Sequence, residues 1–560
     1  MPLENEKPGK NKELFFFPKK KKSEEAMAED LLMFNAAQSG NVKELEKLIV
    51  SSPHLVDEVF GFYRQTPLHA ASCNGHLEAV RMLLATSNKS VDVDDSSYAT
   101  PMYAAAHNGH TAVIDLLVAA GSLAFNKLNT EGWSPLFIAA YKGHADTVRS
   151  LFLHERDHPK FNRSPADILD NTGKVKFTPL CAATEQNHVD VVRVLIQLGS
   201  RAINRPINGD FLPIHSAASF GRSTMIRELN SHGADIFATT TSLTTVFLAA
   251  RYNHVDALET LVQCGAGRII DKPDNQGKTP LFRAVECSHF DVVSTLVRLG
   301  SRALDTPNLH GETPMHFAAK NGNLKMLNLL FTLGGKAFNA RDLNRGSTPL
   351  ILAITHGHFE AVKQLVEFGA DVDKSDNHQR TPLHVAAENG RMRTLELLIH
   401  FGSKHIDSRV GERGSPLFIA SEHGYPSAVE TLIRLGANTS KKAIKSAVKC
   451  ATRFGHHLVL ETLVRLGYSA YSLKKSIVRK ALAYDKFQVV GLLLALGVDI
   501  SSFHEGLREF IAKKLDGKLT EGHIAETRHR VYFSQSLVGR LLFEADRGAM
   551  QQRQTQKRII

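Results

Sequence analysis

Of its 560 residues this chain spends five on cysteine and one on tryptophan, and none on a long apolar run. The longest such run, Val489–Leu496, is far short of the roughly 18 residues of a membrane-spanning helix. The cysteines, Cys73, Cys181, Cys264, Cys287 and Cys450, are odd in number and never spaced C-x-x-C. That argues against a disulfide framework and fits a reducing compartment. From Glu4 onward the N-terminus is charged where a secretory leader would be apolar. These absences predict a soluble intracellular protein, with a cytoplasmic location as the first expectation.

What is present is a period. Fourteen times an alanine is followed twelve residues later by a leucine, and the pair returns about every thirty-four residues. The series runs from Ala36 with Leu48 and Ala71 with Leu83, through Ala318 with Leu330, to Ala481 with Leu493. A period in this range marks stacked units that bury their apolar faces only against one another.

Each unit has a grammar, clearest in Thr381-Pro-Leu-His-Val-Ala-Ala-Glu-Asn-Gly390. Threonine is a good N-cap and proline suits the first helical position, so Thr381-Pro382 opens a helix. The recurring alanine allows two helix axes to approach closely, and Gly390 ends the helix in a left-handed conformation. Asn187, Asn253, Ser288 and Asp485 replace that glycine, and Asn and Asp are the next-best residues for such a turn. A second, more apolar helix follows, as in His358–Val366, and turn residues such as Asp274-Asn-Gln-Gly277 lead to the next unit.

The pattern resembles the ankyrin repeat. Thr66-Pro-Leu-His-Ala-Ala, Asn74-Gly-His76, Leu83-Leu84 and Gly369-Ala-Asp371 carry the resemblance, which covers residues 31–500. It implies an all-α solenoid of stacked helix-turn-helix units, each with a short β-hairpin finger, that binds protein partners. Neither an enzymatic role nor a cofactor is expected.

The ends depart from the pattern. Residues 1–30 read as a disordered arm with Phe15-Phe-Phe17 and a lysine run, Pro18–Lys22, that resembles a nuclear-import signal. The first unit, at Leu31, reads as a polar-faced cap. The units at Ser446 and Ser476 lose Thr-Pro, which makes 446–500 a degenerate end. Within 501–560, Ser502-x-x-Glu505 reads as a capping box opening a helix to Lys514, a second helix covers 524–542, and 551–560 is unstructured. Between Ser134 and Thr178 the spacing is ten residues longer than elsewhere, which places an insertion at about 156–176.

Two strings imitate catalytic motifs. His154-Glu-Arg-Asp-His158 spells H-E-x-x-H, which on a helix sets two imidazoles on one face for zinc. Charged Arg156 and Asp157 inside it, Pro159 directly after it and the lack of a third ligand argue against a metal site. Gly277-Lys-Thr279 echoes the end of a phosphate-binding loop, but the required earlier glycine is Lys272, and the segment reads as a hairpin tip. The histidines at 69, 215, 316 and 384 fall on the family's structural position.

The resemblance implies that recognition falls on the fingers and on the exposed end of the first helix. The residue before the Thr-Pro site is Trp133, Phe177 and Phe211 in three successive units, with Tyr63 and Tyr98 close by on the preceding two. The helix-end position adds His107 and Tyr141, and further on it is charged, with Arg251, Glu286, Lys320, Glu388, Glu422 and Arg453. An exposed aromatic row is a binding signature, and the competing reading is finger-to-finger packing. Arg201, Arg268, Arg302, Lys336 and Lys404 recur after the second-helix glycine and account for part of the net charge of +11. They form either a solvated edge or a basic stripe for an acidic partner, nucleic acid included.

Overall fold

A computed structural model describes residues 24–173, 177–206, 210–410, 414–468 and 474–501, with single positions 503, 511 and 515. The lysine run at 18–22, the helices expected over 502–514 and 524–542 and the tail 551–560 lie outside the described residues, apart from those single positions. The chain divides into two compact units, Met1–Ile269 and Ile270–Ile560. The repeat period gives no sign of this division inside 31–500. Each unit is a stack of seven helix pairs, numbered here repeats 1–7 and 8–14. Among the described residues no helix is long and apolar enough to cross a membrane.

Local chemistry explains the helices. In repeat 3 the Thr100 hydroxyl accepts from Tyr103 N–H at 3.2 Å, and Pro101 fills the first helical position. Gly109 closes that helix at φ 76°. The exceptions obey the same backbone rule: Asn187, Asn253, Ser288 and Asp485 all have φ between 55° and 66°. Within each unit, first helices pack on first helices of adjacent repeats and second helices on second helices. The fourteen alanines sit in this contact at 0–5 % exposure, which leaves no room for a larger side chain. Their leucine partners are buried as well, except Leu48, which is half-buried in repeat 1, where no described helix pair precedes it.

Three expectations are corrected. The first helix spans Glu24–Ser39, so order begins before residue 31. Glu24–Asp30 is rich in Ala, Glu and Met, good helix formers, and no proline stops the helix there. Repeat 1 is not polar-faced, since Leu31, Leu32 and Val50 are exposed. In repeat 13 the helix starts at Lys441 with Ser440 as N-cap, which leaves Ser446 inside it, and in repeat 14 Lys474 precedes the helix Lys475–Ala483. Without proline at the first position nothing fixes these starts locally. The fingers are short: among the described residues Thr239–Thr240 and Leu243–Thr244 form a two-stranded ladder. The other described fingers are tight turns closed by one or two backbone bonds, such as Asp95 N–H to Ala99 O at 2.9 Å and Tyr98 N–H to Asp95 O at 3.0 Å.

Candidate partner-binding surfaces

Two side-chain devices fix where the fingers point. The first is the histidine of Thr-Pro-Leu-His. Thr66 N–H donates to His69 Nδ1 at 3.1 Å, so Nε2 carries the ring proton and donates to Ala99 O, on the next finger, at 3.1 Å. His215 repeats this with Leu212 and Ala238, His316 with Thr313 and Ser347, and His384 with Thr381 and Ser408. Burial holds all four below the usual imidazole range, so each bridge is made by a neutral ring. The second device is an Asp or Asn five residues before the N-cap. Asp95 Oδ1 accepts from Ser97 N–H at 2.8 Å and Ala99 N–H at 3.0 Å, and Asp274, Asn308 and Asp376 do the same in unit 2.

Neighbouring fingers are also joined by backbone bonds. In unit 1 Ser96 N–H donates to Tyr63 O and Thr130 N–H to Ser97 O, each at 2.8 Å. These bonds set Tyr63 and Tyr98 on adjacent tips with 66 % and 60 % of their surface exposed. Phe62 is 90 % exposed and packs edge-on against Tyr63 with centroids 5.7 Å apart. Phe62 lies next to Tyr63 but outside the aromatic positions singled out in the sequence. Its place in the tip Gly61-Phe62-Tyr63-Arg64 was the available signal.

The other aromatics do not form an exposed row. Trp133 is half-buried, with Phe137 at 5.4 Å and Tyr141 at 5.5 Å, and Phe177 meets Phe137 at 6.3 Å. Phe211 is half-buried beside His215 at 5.6 Å. His107 is half-buried, and its carbonyl accepts from His144 Nε2 at 3.1 Å. The insertion contributes to this burial. At Gly173 an added Cβ would lie 2.2 Å from Gly132 O, so the inserted chain lies directly on the finger that carries Trp133.

The insertion also absorbs the H-E-x-x-H string. His154 Nε2 pairs with Asp115 at 2.8 Å. Glu155, 2 % exposed, receives Arg163 Nη1 at 2.8 Å and the amide of Asn126. A charge this buried needs such partners, and here they pin the insertion to the helix that precedes it. The insertion then supplies Asp170, which accepts from Ser200 Oγ at 2.6 Å and Arg201 N–H at 2.9 Å. Asp271 with Ser301 and Arg302, and Asp373 with Ser403 and Lys404, form the same clasp in unit 2. The post-glycine basic residues thus have a backbone role, while the side chains of Arg201, Arg268, Arg302, Lys336 and Lys404 are exposed. All five cysteines are free thiols, and burial pushes Cys181 up to about 11.

In unit 2 the first-helix ends carry charge. Glu286 lies between Lys278 and Arg283, each at 2.7 Å. Glu388 receives Arg380 Nη1 at 2.6 Å, and Arg380 is also held by the buried Asp376. Arg380, Glu388, Glu422, His423, Phe454 and His456, with Ile419 at the base, line a groove of about 480 Å³ across repeats 11–13.

Comparison with known proteins agrees with this architecture. A family model described as "Ankyrin repeats (3 copies)" matches in overlapping stretches, 13–97, 32–122, 87–162, 161–240, 214–305, 246–342, 315–410 and 376–443. Inversin of Danio rerio is 37 % identical over 65 residues, which is 12 % of this chain and 6 % of that protein. Neurogenic locus notch homolog protein 2 of Homo sapiens is 32 % identical over 183 residues, 32 % of this chain and 6 % of that protein. The match therefore spans only a small part of these relatives' length. The crystal structure of the human ASB11 ankyrin repeat domain aligns at 26 % identity, over 41 % of this chain and 99 % of that one, with a TM-score of 0.34.

Proposed function

This chain belongs to the ankyrin-repeat family, and from that premise we propose that it is a protein-binding scaffold or adaptor, monomeric and without catalysis of its own, whose principal contact lies on the fingers of repeats 1–3. The observation that carries the reading is the patch of Phe62, Tyr63 and Tyr98. Three large aromatics are held in the open on tips joined by backbone hydrogen bonds. Aromatic side chains fixed in advance lose little freedom on association and supply much of an interface's energy. The free thiols support a reducing, cytoplasmic setting.

The test is the variant Phe62→Ala/Tyr63→Ala/Tyr98→Ala, compared with Trp133→Ala in quantitative capture of partners and in thermal unfolding. The exposed variant should lose about 2 kcal/mol or more of binding with little change in stability, whereas Trp133→Ala should lower stability. A fully folded triple variant that still takes every partner of the wild type would sink the proposal. A second reading, contact with nucleic acid or chromatin, is favoured by the exposure of Arg201, Arg268, Arg302, Lys336 and Lys404. It requires binding that weakens steeply with salt.

A further inference from the structure

Three repeats of unit 2 place a glutamate at the end of the first helix: Glu286 in repeat 8, Glu388 in repeat 11 and Glu422 in repeat 12. In the first two, the residue directly before the N-cap supplies a cation. Lys278 Nζ reaches Glu286 at 2.7 Å, and Arg380 Nη1 reaches Glu388 at 2.6 Å. In repeat 12 that residue is Gly414, which has no side chain to offer. Glu422 is half-buried, and among the described residues no cation pairs with it. In repeats 8 and 11 the carboxylate in this place is neutralised from its own finger, whereas among the described residues repeat 12 has the acid half of the pair without the basic half.

The surroundings suit a cationic guest. Arg380 is shared between Asp376 and Glu388, so these three groups carry one net negative charge; Glu422 adds a second, and Arg453 beside Phe454 offsets one, which leaves the groove with one net negative charge. Phe454, 44 % exposed, supplies an aromatic wall to the same groove, and Arg453 already lies over its ring at 5.6 Å. His456 is fixed by its Nε2 donating to Glu422 O at 2.7 Å, and His423 by Nδ1 bonded to Ile419 O at 3.1 Å. The walls are therefore set before anything binds. The negative balance stands out on a chain of net charge +11.

We propose that this groove receives an arginine side chain from an extended segment of a partner protein, its guanidinium bonded to Glu422 and lying on Phe454. The guest would fill the role that Lys278 and Arg380 play in repeats 8 and 11. Arginine suits the site better than lysine because its planar fork can bond a carboxylate and stack on a ring at once. The proposal rests on the protein-binding reading but concerns a surface separate from the aromatic fingers, so either can fail alone.

The test uses the full chain and fluorescein-labelled hexapeptides with arginine fixed at the third position and the other positions randomised. The same pool carrying citrulline, neutral and nearly isosteric, is the control. Wild type should retain the arginine pool at least about tenfold more strongly than the citrulline pool, and Glu422→Gln should remove that preference. Phe62→Ala/Tyr63→Ala/Tyr98→Ala should leave it intact, which separates this result from the fate of the finger patch. Glu286→Gln, in a repeat that supplies its own cation, should also leave it intact. Equal retention of both pools, or an undiminished preference in folded Glu422→Gln, would overturn the proposal. So would a preference that emerges only after Arg413→Ala, because the chain would then supply its own cation.

Discussion

Replacing Gly109 with alanine tests how adjacent repeats are keyed together. Gly109 has φ 76°, so any Cβ there carries a left-handed penalty of about 1–2 kcal/mol. It also faces the next repeat: an added Cβ would lie 2.5 Å from His144 Nδ1 and within 2.9 Å of two ring carbons. The ring cannot retreat freely, because His144 Nε2 donates to His107 O at 3.1 Å. Displacing it adds an overpacking cost of about 1–3 kcal/mol and about 0.5–1.5 kcal/mol for the bond. Gly109→Ala should therefore cost about 2.5–6.5 kcal/mol. Gly121 is the matched control, with φ 95° and nothing within 4 Å of its added Cβ. Gly121→Ala should cost only the backbone share, about 1–2 kcal/mol. Urea unfolding followed by the single tryptophan, Trp133 in the adjacent repeat, reads both locally. In the background of His144→Ala the excess at Gly109 should vanish. Equal costs for the two glycines, or an additive double-mutant cycle, would refute the reasoning.

Two further outcomes follow from the packing and the buried rings. Ala318→Leu places a branched side chain where 1 % of the residue is exposed, and should lower the stability of unit 2 by about 1–3 kcal/mol by chemical denaturation; an unchanged midpoint would mean that this face is misassigned. His69, His215, His316 and His384 have folded pKa values below their unfolded value of 6.5, so the unfolded chain binds more protons between the two. Their contribution is complete above about pH 6.5 and is lost as pH falls through the folded values. Melting temperature should therefore drop between pH 7.5 and 5, less steeply in His316→Gln, and a flat profile would contradict the neutral bridges.

The sequence by itself determined whatever depends on residues a few positions apart. Thr-Pro starts, left-handed stops and the alanine–leucine period are local, and even Ser288 takes the positive φ that its place demands. Where Thr-Pro was missing the starts shifted: the first helix begins at Glu24, and Ser440, not Ser446, caps the helix of repeat 13. Only the tertiary structure decided which finger aromatics are open. Trp133 and Tyr98 sit on corresponding fingers, yet Trp133 is packed by Phe137, Tyr141 and the region of the inserted chain, whereas Tyr98 projects into solvent. It also decided that Glu155 is a buried anchor and that, among the described residues, Glu422 has no cation paired with it as Glu286 and Glu388 do. The physical reason is the same in each case. A turn or a cap is an interaction within a few residues of chain, while exposure and charge pairing depend on which finger and helix-end side chains the fold brings together, from eight residues apart, as in Lys278–Glu286, to a neighbouring repeat, as in Asn126–Glu155.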